Sequence, residues 1–161
     1  MTSADFEPNA AQYGYPPAPQ GQPGGLGARF FARVIDGILV NVVAFALSVV
    51  LFDWDYWWMV TGLFSGVMMF GYFVLFEVTH GTSLGKRLLG LKVLGAHGTP
   101  KPDFTQSAIR NSFTLLAVIP YFIGQVLAVV AYIVIAATIS ASPTKQGKHD
   151  ELAGGTQVVK R

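Results

Sequence analysis

The chain contains no cysteine, which excludes disulfides, thiolate metal sites, cysteine nucleophiles and lipid anchors attached through sulfur. Charge is scarce as well. Only 12% of the 161 residues are Asp, Glu, Lys or Arg, about half the share of an ordinary soluble domain. Residues 1–28 hold neither a Lys or Arg nor an apolar run, so both hallmarks of a signal peptide are missing and the first apolar segment is expected to do the targeting. Net charge is only +2 with no concentrated basic patch, so nucleic acid is not an expected partner. In place of charge, 52% of the chain is hydrophobic, and burial in a membrane is the simplest reason.

Residues 1–27 are dominated by Pro, Gly, Gln and Ala and read as a disordered tail, because they cannot bury enough apolar surface to offset the entropy of ordering. A membrane domain over 28–161 follows. Its first span is expected at about 34–52 and its second at 57–78, each close to the ~20 residues that cross a hydrocarbon core of about 30 Å. Between them Asp53 and Asp55 need water while Trp54, Tyr56, Trp57 and Trp58 favour the headgroup level. From Thr79 to Phe104 the chain turns polar and Gly-rich. Asp103 or Thr105 can cap a helix leading into a third apolar region, Ser112 to Ala141, interrupted by Pro120 and Gly124. It is expected to form a hairpin of two arms, about 105–123 and 124–141, with Tyr121 at the outer interface; one tilted span is the alternative. Leu88–Leu94 and Thr156–Val159 are β-prone, each too short to stand alone, and are expected to pair, bringing His149 and Asp150 near Lys86 or Arg87. The fold class is therefore an all-α membrane protein: a small bundle of three to four membrane-entering helices with a short cytoplasmic β-pairing and a disordered N-terminal tail. Arg29, Arg33, Lys86, Arg87, Lys92, Lys101 and Arg110 place the N-terminus and the second connection in the cytoplasm by the positive-inside rule. The plasma membrane is the expected location.

Asp36 lies about one turn inside the first apolar stretch, where an ionised carboxylate is costly unless paired. Arg33 and Arg29 stand three and seven positions before it, on one side of a helix, so an internal Arg–Asp cluster is expected. It reads either as a structural lock between helices or as a cation or proton site. Asn41 suits an interhelical hydrogen bond, and Gly62 with Gly66 forms a GxxxG pair for close helix packing. Glu77 and His80 share a face, but the further carboxylates of a di-metal bundle are absent, so no metal is expected. Gly81 to Arg87 departs from a phosphate loop in spacing and context and has Arg87 where a magnesium-binding hydroxyl belongs, so no nucleotide or other cofactor is expected. His97 and His149 have no evident ligand set.

Three ordered motifs carry a resemblance. They are Arg29-x-x-Ala32-x-x-x-Asp36; Gly81-x-Ser83-Leu84-Gly85-Lys86 followed by Leu89-Gly90-Leu91-Lys92-Val93; and His149-Asp150 before Leu152-Ala153-Gly154 and Thr156-x-Val158-Val159. Together, over about residues 27–160, they resemble the RDD family of membrane proteins. The resemblance implies that Arg29, Asp36 and Asp150 are the residues for which the family is named. The sequence departs from the family pattern at Ser83 and Leu84, where Thr and Pro are usual, and in the additional Gly155. Some members of that family are associated with monovalent cation/proton exchange and others look like accessory modules.

Two functions are therefore expected. The first is a non-catalytic accessory, scaffold or assembly module of a membrane complex, suggested by small size and the lack of a second ionisable cluster at mid-membrane. The second is a monovalent cation/proton antiporter, suggested by Arg29, Arg33, Asp36, Glu77 and His80 near one interface. Transport would require an oligomer, since alternating access is usually built from repeats. No nucleophile–base or paired-carboxylate arrangement points to an enzyme. The expected partners are the bilayer and a homo-oligomer or larger membrane complex.

Overall fold

The computed structural model describes residues 21–51, 57–119 and 122–161, without the side chains of 57–61. The expected tail as far as residue 20, most of the Asp53–Trp58 corner, and Pro120 and Tyr121 of the expected turn lie outside the described residues.

Helix α1 (Leu26–Leu51) buries Arg29, Ala32, Asp36, Val40, Ala44 and Ser48. Their spacing of three or four places them along one stripe. Phe30, Phe31, Ile38, Val42 and Val50 point outward and are exposed. Small and polar residues inside with large apolar ones outside is the arrangement that a lipid solvent favours, because close helix packing replaces hydrophobic burial. Helix α2 (Trp57–His80) runs antiparallel to α1: Ser65 Oγ donates to Asn41 Oδ1 at 2.7 Å and Tyr72 Oη to Asp36 Oδ1 at 2.6 Å. Among the described residues, three helices are long and apolar enough to cross a membrane: Leu26–Leu51, Gly62–His80 and Ile123–Ala141.

After α2 come a five-residue helix, α3 (Leu84–Leu88), and strand β1 (Leu91–Leu94). Helix α4 (Phe104–Asn111) opens on a capping box, with Asp103 accepting from Gln106 N at 2.8 Å, which satisfies a donor that the first turn leaves free. It continues as a 3-10 segment, Ser112–Val118. There Ser112 and Thr114 donate their hydroxyls to the carbonyls of Ile109 and Asn111, each at 2.8 Å, a local bond that competes with regular helix. This arm descends along α2. A Cβ on Gly66 would lie 2.7 Å from Val118 Cγ2, and one on Gly62 would lie 3.1 Å from Gln125 Nε2, so the GxxxG pair packs against a segment of its own chain.

Helix α5 (Ile123–Ala141) returns alongside, Tyr132 meeting Phe113 edge-on at 5.1 Å and Thr138 Oγ1 accepting from Lys148 N at 3.1 Å. The two arms over 104–118 and 123–141 are thus antiparallel neighbours, and the chain emerges at the end of the bundle where α1 begins. Helix α6 (Lys148–Leu152) and strand β2 (Gln157–Lys160) complete the chain. β1 and β2 pair antiparallel, Leu91 opposite Lys160 and Leu94 opposite Gln157. The lead-in to α1 flanks β2, with Gly24 N donating to Val158 O at 2.9 Å and Lys160 N to Gln22 O at 2.8 Å. Leu91, Val93 and Val158 pack on Ala32. The small sheet therefore sits on the polar end of α1.

A buried ion-pair network at one end of the bundle

Asp36 is fully buried, and its partners are not arginines. Oδ1 accepts from Tyr72 Oη at 2.6 Å and from Gly85 N at 2.7 Å, and Oδ2 accepts from Ser83 Oγ at 2.6 Å. The Arg–Asp cluster expected within α1 is thereby corrected: the two hydroxyls and the backbone N–H that hold Asp36 come from α2 and from the turn entering α3. Glycine at 85 is demanded by proximity, since a Cβ there would lie 2.2 Å from the carbonyl oxygen of Ala32. The Ser83-Leu84-Gly85 motif is in physical terms a clasp closing over Asp36.

Arg29 and Arg33, which share the α1 face with Asp36, go elsewhere. Arg29 donates Nε to Gly24 O at 2.9 Å and Nη2 to Val158 O at 3.1 Å, and its Nη1 lies 3.5 Å from Asp150 Oδ2. It ties the lead-in, β2 and α6 together. Arg33 lays its guanidinium over the Phe73 ring at 3.8 Å and donates Nη2 to Asn111 Oδ1 at 2.8 Å.

Glu77, also fully buried, forms the second node. It pairs with Lys86 Nζ through a short contact, accepts from Ser107 Oγ and Asn111 Nδ2 at 3.0 Å each, and faces Arg110 Nε at 3.6 Å. The Glu77–His80 face is not a pair: His80 is exposed and shares a hydrogen bond with Thr79 Oγ1 at 2.7 Å. Asp150 is the third node. Arg110 Nη1 reaches its Oδ1 at 2.5 Å, Thr156 Oγ1 donates to the same oxygen at 3.2 Å, and Gly147 N donates to Oδ2 at 3.1 Å. The expected approach of Asp150 to Lys86 or Arg87 is replaced by Arg110 and Arg29, while Arg87 stays exposed. Arg110 thus bridges Glu77 and Asp150.

Burial pushes the Lys86 ammonium down to about 8, against the opposing pull of Glu77. The His149 imidazole is pushed down to about 3 by burial, reinforced by Arg110, Arg33 and Lys86 and only partly opposed by Asp150. His149 is therefore neutral near pH 7. Burial alone would raise Asp150, but the guanidinium groups of Arg110 and Arg29 and the Gly147 N–H oppose it, and the carboxyl is held below its ordinary value.

Among the sequence-derived residues, Asn41 bonds to Ser65 between helices, Gly81 adopts φ +67 and accepts from Val93 N at 2.7 Å, and Gly62 and Gly66 seat the descending arm. Sequence reasoning missed Tyr72, Ser107, Asn111 and Thr156. A signal existed for two of them, because Ser107, Arg110 and Asn111 fall at i, i+3 and i+4 on one face of a helix announced by the Asp103–Gln106 capping box.

Between α1 and α5 lies a cavity of about 550 Å³. Arg29, Arg33, Lys86, Arg110 and His149 reach it at one end, the rest of its lining is largely apolar, and none of its lining residues is acidic. Phe30 and Ile133 line it and are also exposed, so it opens onto the lipid-facing side of the bundle.

The model of the RDD family matches residues 23–154. No curated protein and no solved structure matches the chain. With the apolar helices, the family match identifies an integral membrane protein.

Proposed function

The chain belongs to the RDD family, and from that premise we propose that it is a non-catalytic module of a membrane complex, seated in the plasma membrane with its N-terminus and small sheet in the cytoplasm. The observation that carries this reading is the saturation of the three buried carboxylates. Asp36 accepts three hydrogen bonds, Glu77 is met by Lys86, Arg110, Ser107 and Asn111, and Asp150 by Arg110, Arg29, Thr156 and Gly147. Their partners come from α1, α2, α3 and its N-cap, α4, the N-cap of α6 and the tail, so each carboxylate fastens segments together. Removing one member of such a buried set leaves an uncompensated charge, which costs about 3–5 kcal/mol. That is the energetics of a lock.

Cation/proton exchange is the competing reading. It requires a carboxylate that loses its partners and meets both a cation and water, whereas the cavity at this site presents only cationic and neutral side chains. The test is reconstitution of the full chain into vesicles with an imposed pH gradient, followed by a pulse of sodium or potassium. We expect the gradient to decay as it does in protein-free vesicles, and Glu77→Gln to lower the thermal midpoint in mild detergent. A cation-stimulated collapse that disappears in Glu77→Gln, with the midpoint unchanged, overturns the module in favour of exchange.

A further inference from the structure

We infer that the cavity between α1 and α5 binds one anionic phospholipid, its phosphate against Arg33 and the adjoining cations and one acyl chain along the apolar wall of α5. This goes beyond the module reading and does not depend on it.

Charge is the first argument. Arg29, Arg33, Lys86 and Arg110 all reach the cavity, while the carboxylates packed behind them are Glu77, Asp150 and Asp36. Asp36 is satisfied by a hydroxyl pair and a backbone N–H rather than by a cation. Four cations stand against three carboxylates, and His149 is neutral near pH 7. One positive charge is left over at the edge of hydrocarbon, where an unpaired charge is costly. A phosphodiester carries one negative charge.

An unused donor is the second argument. Arg33 Nη1 is buried and has no hydrogen-bond partner in the protein. Arg33 lines the cavity, whereas the Nε of Arg110 is turned to Glu77 Oε2 at 3.6 Å. Guanidinium N–H groups are the donors best matched to phosphate oxygens.

Shape and depth are the third. Arg33 directly precedes the apolar run that opens at Val34, which puts it at the polar edge of a span, where headgroups lie. Val34, Gly37 and Ala136 line the cavity as well, and Phe30 and Ile133, which also line it, are exposed. α1 and α5 make few direct contacts, so the apolar wall is continuous with the surface that faces lipid. A polar end at headgroup depth with an apolar flank open to the bilayer fits an amphiphile. A soluble anion would leave the flank unused.

The test uses the full chain in mild detergent, titrated separately with phosphatidylglycerol, phosphatidylcholine and glycerol 3-phosphate, and read by thermal midpoint and by lipid adducts retained in native mass spectrometry. We expect phosphatidylglycerol to raise the midpoint and remain as a single adduct, and the other two to do neither. Arg33→Gln should weaken phosphatidylglycerol binding at least tenfold. Ala136→Phe fills the apolar wall without touching any ion pair, should weaken it to the same degree, and decides the question alone if Arg33→Gln does not fold. Equal retention of phosphatidylcholine, an equal shift with glycerol 3-phosphate, or phosphatidylglycerol binding undiminished in Ala136→Phe overturns the proposal. A lipid-free dimer that Ala136→Phe dissociates also overturns it, by assigning the groove to a second copy of the chain.

Discussion

Arg110 reaches Asp150 Oδ1 at 2.5 Å with one terminal nitrogen while its Nε faces Glu77 Oε2 at 3.6 Å, so a single guanidinium spans the carboxylate of α2 and the carboxylate of α6. Arg110→Met should cost about 3–5 kcal/mol, the penalty for leaving buried charges without their partner. Arg110→Lys should recover little of it, because an ammonium is a point charge that cannot serve two carboxylates from one plane. Thermal midpoints of both variants in detergent check this, and a lysine variant matching the native midpoint would show that bridging is unimportant.

Asp36 separates geometry from charge. An asparagine can keep its Oδ1 under Tyr72 and Gly85 but presents the donor Nδ2 to Ser83 Oγ, so Asp36→Asn weakens two hydrogen bonds and takes the acceptor from the Ser83 hydroxyl, about 1–3 kcal/mol. Asp36→Ala strands all three donors and should cost several kcal/mol, at about 1–3 for each buried group left unsatisfied. Equal midpoints for the two variants would contradict the clasp.

Much of this architecture can be read in the sequence, and the part that cannot has a physical reason. The spans declare themselves because hydrocarbon tolerates little charge, and the resemblance to the RDD family rests on motifs that are contiguous in the chain. The partner of Asp36 is hidden. Helical spacing draws attention to Arg29 and Arg33 on the same face, yet long arginine side chains can swing toward β2 or Phe73, while the Tyr72 hydroxyl of α2 and a serine hydroxyl and a glycine N–H from beyond α2 take the carboxylate. Likewise Arg110 looks like a positive-inside residue at a helix end, and only the return of α6 to the bundle converts it into a bridge.

The glycines should rank by what surrounds them. Gly85→Ala would drive a Cβ to 2.2 Å from the Ala32 carbonyl oxygen, which is backbone and cannot yield without lifting α3 off Asp36. Gly66→Ala meets Val118 Cγ2 at 2.7 Å and the Val118 backbone N at 3.1 Å; the β-branched side chain yields only by turning at χ1, but neither approach is as close as that at Gly85, so the loss should be smaller. Gly90→Ala meets nothing within 4 Å and bears only the strain of φ +65, about 1–2 kcal/mol. Midpoints should therefore fall most for Gly85→Ala, and a Gly90→Ala loss as large would refute the close-approach account.

Acid should destabilise the protein through His149. Its folded pKa is pushed down to about 3 from an ordinary 6.5, so the unfolded chain takes up the proton first. The stability contributed by the neutral ring is complete above about pH 6.5 and is lost as pH falls toward about 3. Asp150 is held below its ordinary value, so its own loss begins only nearer pH 4. Between pH 6.5 and 4.5 the midpoint of the native chain should fall, and that of His149→Gln should fall less. Parallel curves would remove His149 as the cause.

The pairing of β1 with β2 requires that the second connection and the C-terminal tail lie on one side of the membrane, and the orientation proposed above, which rests on the surplus of basic residues there, makes that side the cytoplasm. Both halves can be tested separately because the chain has no native cysteine to give background. Arg87 and Lys160 are exposed, so Arg87→Cys and Lys160→Cys should leave the buried network intact, whereas Thr156 is fully buried on the Asp150 node and is a poor probe. With a membrane-impermeant thiol reagent, both cysteines should be protected in intact cells and labelled once the cells are opened. Labelling of both from outside would reverse the orientation and leave the fold standing. Labelling of Lys160→Cys alone would place the strands on opposite sides, which neither the sheet register nor the antiparallel return of α5 allows.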